Sequence, residues 1–204
     1  MKLHFARHGE SEANVQRIYS NRDLPHHLTP AGRKHAQTLA RRLQGESIRA
    51  LYTSPIPRAV ETAEIVSEIL KIPHEITDAL REYDCGEIEG LSYDRGSARY
   101  EKVLRDWMEL SYWESSIEGG ESFLDMKDRF LPFIDGLVEA HGATRTNIAL
   151  IGHGGLYRCM LPLILENVSV QFAMTHAIAY TETVVAEPRN GGFICLRWGP
   201  MPLD

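Results

Sequence analysis

Three short apolar runs, at residues 3–6, 49–53 and 147–151, each give way at once to a polar turn and a stretch with helical spacing. Runs of this length read as strands, and alternation with amphipathic helices predicts an α/β fold with a mostly parallel sheet flanked by helices. The first and third runs end alike. One leads into Arg7-His8-Gly9-Glu10-Ser11 and the other into Gly152-His153-Gly154-Gly155. A strand-to-helix junction offers backbone N–H groups and the positive end of a helix dipole, so both junctions are candidate anion sites, for phosphate above all.

Between them the pattern is regular. Residues 10–16 suit a short helix, and residues 17–28, with Asp23-Leu24-Pro25 and His26-His27, read as a solvated loop. Thr29-Pro30 supplies an N-cap and a first-turn proline for a helix to Leu43, with Ala36, Leu39, Ala40 and Leu43 on its apolar face. Ser54-Pro55 opens a helix to Leu70 that carries Arg58 in its first turn, where a cation opposes the helix dipole and is well placed to meet an anion. A weak strand at residues 74–77 leads to an acid-rich loop at residues 80–90, a place for a general acid. Residues 91–118 break the alternation and read as a helical excursion over the mouth of a site. Ser122 and Asp125 have capping-box spacing for a helix to Ala140, and the helix after His153 is expected to reach Leu165 with a kink at Pro162. Runs at residues 180–186 and 193–198, joined by a turn at Arg189-Asn190-Gly191-Gly192, are expected to form an antiparallel edge.

Composition narrows the chemistry. The 204 residues suit a single domain with the excursion as an elaboration, and a net charge of −6 argues against general nucleic-acid binding. Cys85, Cys159 and Cys195 are too few and too far apart for a disulfide framework or a metal signature. No run approaches a membrane span, and the N-terminus does not read as a signal peptide, so a cytoplasmic protein without metal or cofactor is expected. The oligomeric state is left open. His8, Arg58 and His153 all fall just past the carboxyl ends of predicted strands, where open α/β sheets bind their ligands. With Arg7 they make two arginines and two histidines around one point, a pocket for a phosphoryl group.

The chain resembles the histidine phosphatase superfamily, which includes cofactor-dependent phosphoglycerate mutases and many phosphatases. The resemblance is carried in order by Arg7-His8-Gly9-Glu10-Ser11 with Asn14, Leu28-Thr29-Pro30-Ala31-Gly32, Ser54-Pro55 with Arg58, Glu82 with Gly86-Glu87-Ile88-Glu89-Gly90, Gly119-Gly120-Glu121-Ser122, and Gly152-His153-Gly154-Gly155. It implies a phosphoglycerate mutase-like fold, with His8 phosphorylated and Glu82, held protonated, as proton donor. It also implies that Arg7, Arg58 and His153 line the phosphate pocket, that Asn14 hydrogen-bonds the phosphate, and that Gly154 belongs to the same wall. Tyr19-Ser20 stands where many relatives carry glutamine-glycine. Hydrolysis of a small phosphomonoester is favoured over mutase chemistry, because residues 91–118 hold Arg95, Arg99, Lys102 and Arg105 against six acids, Asp94, Glu101, Asp106, Glu109, Glu114 and Glu118. A phosphate-binding protein without catalysis is a third class, disfavoured by intact His8 and Glu82.

Overall fold

The computed structural model describes residues 1–22, 24–142, 144, 146–189 and 191–203. Asp23 of the predicted loop and Asn190 of the predicted turn lie outside the described residues. Among the described residues seven strands form one sheet: β1 (Lys2–Arg7), β2 (Ile48–Thr53), β3 (Glu75–Ile76), β4 (Asn147–Gly152), β5 (Thr183–Arg189), β6 (Gly192–Trp198) and β7 (Met201–Pro202). Their order is β3-β2-β4-β1-β5-β6-β7. β3, β2, β4 and β1 run parallel, while β5, β6 and β7 add antiparallel strands. This is the mixed, largely parallel sheet that the alternation predicts.

Helices cover both faces. On one, α2 (Pro30–Gln44) and α3 (Pro57–Leu70) bury Leu39, Leu43, Ala59, Ala63 and Val66 against Ala6, Leu51 and Ile151. On the other, α5 (Phe123–His141) and α6 (Gly154–Met160) pack Phe130, Met126, Leu156 and Tyr157 against Leu3, Phe5 and Leu150. Local chemistry sets the helix starts. Thr29 Oγ1 accepts the Gly32 N–H at 3.0 Å, and Ser122 and Asp125 exchange reciprocal bonds at 2.8 and 3.2 Å, the capping box that the spacing predicts. At Gly32 a Cβ would sit 1.9 Å from the Glu10 carbonyl oxygen, so only glycine lets α2 press against the loop after His8.

The excursion is α4 (Tyr93–Met108) followed by a loop to Ser122. Isolated bridging between Ile18 and Ser92 and backbone bonds from Tyr19 N–H to the Leu91 carbonyl and from Gly90 N–H to the Tyr19 carbonyl, at 3.0 and 2.8 Å, tie its start to the loop beyond α1 (Glu12–Gln16). Gly96 makes room for the Tyr19 ring, which a Cβ would approach to 2.5 Å.

Several boundaries differ from expectation. The helix after His153 ends at Met160 and continues as a 3₁₀ turn, Leu161–Leu163, rather than kinking on to Leu165. Pro162 has no N–H to sustain the ladder, and the chain tightens instead. The strand expected from Tyr180 begins at Thr183, because Thr181 adopts a left-handed φ of 58°. The β5–β6 pair is antiparallel, as expected, and lies toward one end of the sheet, where two-residue β7 pairs with Arg197 and Trp198 of β6. β7 and a short helix α7 (Val170–Thr175), N-capped by Ser169, were not anticipated. Two-residue pairings and six-residue helices carry too little periodicity to be read. No helix among the described residues is long and apolar enough to cross a membrane.

Candidate active site

β1 and β4 are neighbours with Arg7 in register with Gly152, so the two junctions lie side by side. The rings of His8 and His153 stand 5.0 Å apart. Between them lies Arg58 of α3, which joins three groups: Nε donates to His8 Nε2 at 3.0 Å, Nη1 to the Ser20 carbonyl at 2.5 Å, and Nη2 faces His153 Nδ1 at 3.2 Å. Burial pushes its guanidinium down to about 10, against the pull of Glu82, so it remains a cation at neutral pH.

These contacts dictate two different tautomers. His8 Nδ1 lies 2.6 Å from the Gly9 carbonyl, which can only accept, so Nδ1 carries the proton and the Nε2 lone pair points at Arg58. His153 accepts from Arg58 at Nδ1, so its proton is on Nε2, 2.8 Å from Ser54 Oγ. Burial, then Arg58 and other nearby cations, hold both imidazoles well below their ordinary value, and both are neutral at pH 7.

Arg7 donates from Nη1 to the Ile178 carbonyl at 2.9 Å, and its guanidinium lies over the Tyr180 ring, 4.4 Å from the centroid. Its buried Nε has no partner among the described residues and remains a donor for a ligand. Glu82 enters from the acid-rich loop. Its Oε2 accepts from Gly155 N–H at 2.9 Å, and its Oε1 from Leu156 and Tyr83 N–H at 2.6 and 3.2 Å. A Cβ on Gly155 would fall 2.6 Å from this carboxyl, so glycine is needed for the approach.

Part of the N–H groups at the two junctions is taken by the protein itself. The first turn of α6 spends two N–H groups on the protein's own Glu82. At the His8 junction Gly9 N–H goes to Thr62 Oγ1, Ser11 N–H to Asn14 Oδ1, and Glu12 N–H to the His27 carbonyl. The guanidinium groups of Arg7 and Arg58 stand at the cavity wall beside Gly154.

A cavity of about 450 Å³ is lined by Arg7, His8, Asn14, Arg58, Glu82 and Gly154 among the predicted residues. His153 is fully buried behind Arg58 and is not on its wall. Asn14 is on the wall, but its Oδ1 accepts from Ser11 N–H and Oγ–H at 3.0 and 2.9 Å, which leaves its amide NH₂ for a ligand. Sequence reasoning did not single out Arg158, Ser97 or Asn21, which also line the cavity. Arg158 follows Gly154 by four positions on α6, and Tyr93, Ser97, Tyr100 and Glu101 share helical spacing on α4, a signal that periodicity could have given. The paired loop histidines are not simply solvated: His26 Nδ1 meets Ser20 Oγ at 2.8 Å, and His27 pairs with Glu61. Among the described residues no three His, Cys, Asp or Glu side chains converge as a metal site.

A family model described as the histidine phosphatase superfamily (branch 1) matches residues 3–200. The chain belongs to the histidine phosphatase superfamily. A Gallus gallus protein named 6-phosphofructo-2-kinase/fructose-2,6-bisphosphatase is 34% identical over 172 residues, covering 82% of this chain and 33% of its own length. The chain thus spans about a third of the curated relative that it matches there. A Methylobacterium protein named 2,3-bisphosphoglycerate-dependent phosphoglycerate mutase is 29% identical over 178 residues, covering 83% and 82% of the two chains. Among solved structures, a mycobacterial glucosyl-3-phosphoglycerate phosphatase superposes with a TM-score of 0.81 at 22% identity, over 97% of this chain and 98% of its own. This superfamily member has the phosphoglycerate mutase-like fold.

Proposed function

We propose that this histidine phosphatase hydrolyses a small organic phosphomonoester through a phosphohistidine on His8. The observation that carries the reading is the His8 Nε2 lone pair, on the wall of a cavity of small-molecule size, held in place by its own Nδ1–H bond and flanked by two arginines. Arg58 Nε–H donates to that nitrogen at 3.0 Å. A bound phosphoryl group offers Arg58 better acceptors, so substrate binding itself releases the nucleophile. Phosphoryl transfer spreads charge over three equatorial oxygens, and Arg7 and Arg58 supply fixed positive charge and donors for them. Neutral His8 attacks in line. Glu82 gives its proton to the leaving oxygen, then accepts one from the water that cleaves the phosphohistidine. The arginines do the charge neutralisation, so the reaction is metal-independent, and chelators should leave turnover intact.

The excursion supports hydrolysis over transfer to a second acidic substrate. α4 presents Tyr93, Ser97, Tyr100 and Glu101 to the cavity, and none of its cations. Arg99 is paired with Glu87 at 2.9 Å and Lys102 with Asp106 at 2.6 Å. Mutase-type transfer is the second reading, favoured by the similarity to the Methylobacterium mutase over matching lengths. A panel of phosphomonoesters, assayed for phosphate release and for transfer to phosphoglycerate, decides between them. Release without transfer supports the hydrolase, and transfer faster than release overturns it. With labelled substrate, the protein-bound phosphate should be stable to alkali and labile to acid, and absent from His8→Ala.

A further inference from the structure

We propose that the Ser20 hydroxyl is a further donor to the transferring phosphoryl group, with His26 directing its hydrogen; this rests on the phosphatase reading above. Ser20 is part of the cavity wall although only 2% exposed. Its carbonyl is taken by Arg58 Nη1, so the same guanidinium that touches His8 at one edge touches Ser20 at another. A phosphoryl group that replaces His8 as the partner of Arg58 spreads its oxygens across that planar fork, which brings them to the Ser20 side. The residue is held firmly there. Glu89 accepts the next two N–H groups of the chain, from Asn21 and Arg22, at 2.9 to 3.0 Å, and Asn21 Nδ2 donates to the Tyr83 carbonyl at 3.0 Å.

The hydroxyl has one hydrogen and two possible uses for it. Its oxygen lies 2.8 Å from His26 Nδ1. If Nδ1 is a lone pair, the hydroxyl spends its hydrogen on the imidazole and shows the cavity only an acceptor. If Nδ1 carries the proton, the imidazole donates to Oγ and the Ser20 hydrogen is free. Phosphoryl oxygens only accept, so an occupied site selects the second arrangement. Ser20 is therefore a substrate contact, and His26, which acts through it, a positioning residue.

Vanadate, a mimic of the in-flight phosphoryl group, is the probe. Ser20→Ala should weaken vanadate inhibition about tenfold, the usual worth of one hydrogen bond to a charged group, and lower kcat/KM for an alkyl phosphate by a similar factor. Ser20→Gly removes the same hydroxyl and gives the reading independently if alanine disturbs the loop. His26→Phe should follow Ser20→Ala, whereas His26→Asn, whose amide can still donate to Oγ, should recover most of the loss. In ¹⁵N spectra of the wild-type protein, vanadate should move His26 toward the Nδ1–H form, and Ser20→Ala should abolish that change. Wild-type vanadate affinity in both Ser20 variants, or a His26 spectrum indifferent to vanadate, would overturn the proposal while leaving His8 chemistry standing. A wild-type protein that neither binds vanadate nor turns over any phosphomonoester instead removes the phosphatase reading itself.

Discussion

The two strand-to-helix junctions read almost alike in sequence, and the fold puts them to opposite uses. At the end of β1, His8 keeps its proton on Nδ1 and presents Nε2 to the cavity. At the end of β4, His153 keeps its proton on Nε2, gives it to Ser54, and turns Nδ1 to the same Arg58. One imidazole stands at the cavity wall with its Nε2 against Arg58, and the other is a buried brace for the same cation. The helix that follows each differs too: α6 spends its first N–H groups on Glu82, whereas α1 spends its own on Asn14 and the His27 carbonyl. Equivalent position past a strand end therefore does not fix equivalent chemistry. The hydrogen bond on the far ring nitrogen does.

The sharpest way to break this comparison is to remove each imidazole in turn. His8→Ala should reduce turnover to background, whereas His153→Ala should retain detectable phosphoprotein and lose about 10²- to 10³-fold in kcat, the worth of one fixed donor set. Label found in His8→Ala but missing from His153→Ala would reverse the two roles. Next in size is the carboxyl that α6 holds. Glu82→Gln should slow alkyl phosphate hydrolysis about 10²- to 10⁴-fold, and p-nitrophenyl phosphate, whose leaving group needs little protonation, should suffer less. Rapid mixing of that variant should show a burst of nitrophenol before slow dephosphorylation, and equal losses on both esters without a burst would move the acid role elsewhere, with Asp84→Asn the comparison.

Smaller effects sharpen the contrast in tautomers. Ser54→Ala frees His153 Nε2–H and should cost about fivefold in kcat, with KM little changed, since Arg58 keeps its hold on His8 and Ser20. The pH dependence follows from both imidazoles being depressed. Unfolded, they take up protons below about 6.5, and folded they resist until well below it. The unfolded state thus binds more protons as pH falls, so stability is full above 6.5 and declines on acidification. His4, buried on β1 and pushed down to about 4 by burial, adds to the same slope between those two values. Thermal unfolding measured across pH 4–7 should show this, and His4→Leu should flatten it, whereas the acid limb of kcat/KM set by His8 should stay where it is. Least affected in chemistry is Glu89→Gln, which weakens the clamp on Asn21 and Arg22. A loss of about 1–3 kcal/mol in stability with kcat within a few-fold is expected from denaturant melts and initial rates.

The one-dimensional pattern alone determined much. Short apolar runs followed by capped amphipathic helices can bury themselves only as an α/β sandwich, so the mixed sheet, the faces of α2, α3 and α5, and the meeting of His8, Arg58 and His153 beyond strand ends were legible from spacing. Glu82 was named only through the family resemblance, because one acid among four in its loop carries no local mark. What the tertiary structure decided lies in contacts between segments far apart in the chain. Which nitrogen of each histidine is free depends on Gly9, Arg58 and Ser54; whether the first N–H groups of α6 meet a ligand depends on a carboxyl 73 residues away. The place of β5 inside the sheet depends on β6 and β7 lying beyond it. Periodicity reports which face a side chain shows to the core, and a hydrogen bond requires knowing what stands opposite; only the folded chain supplies the second.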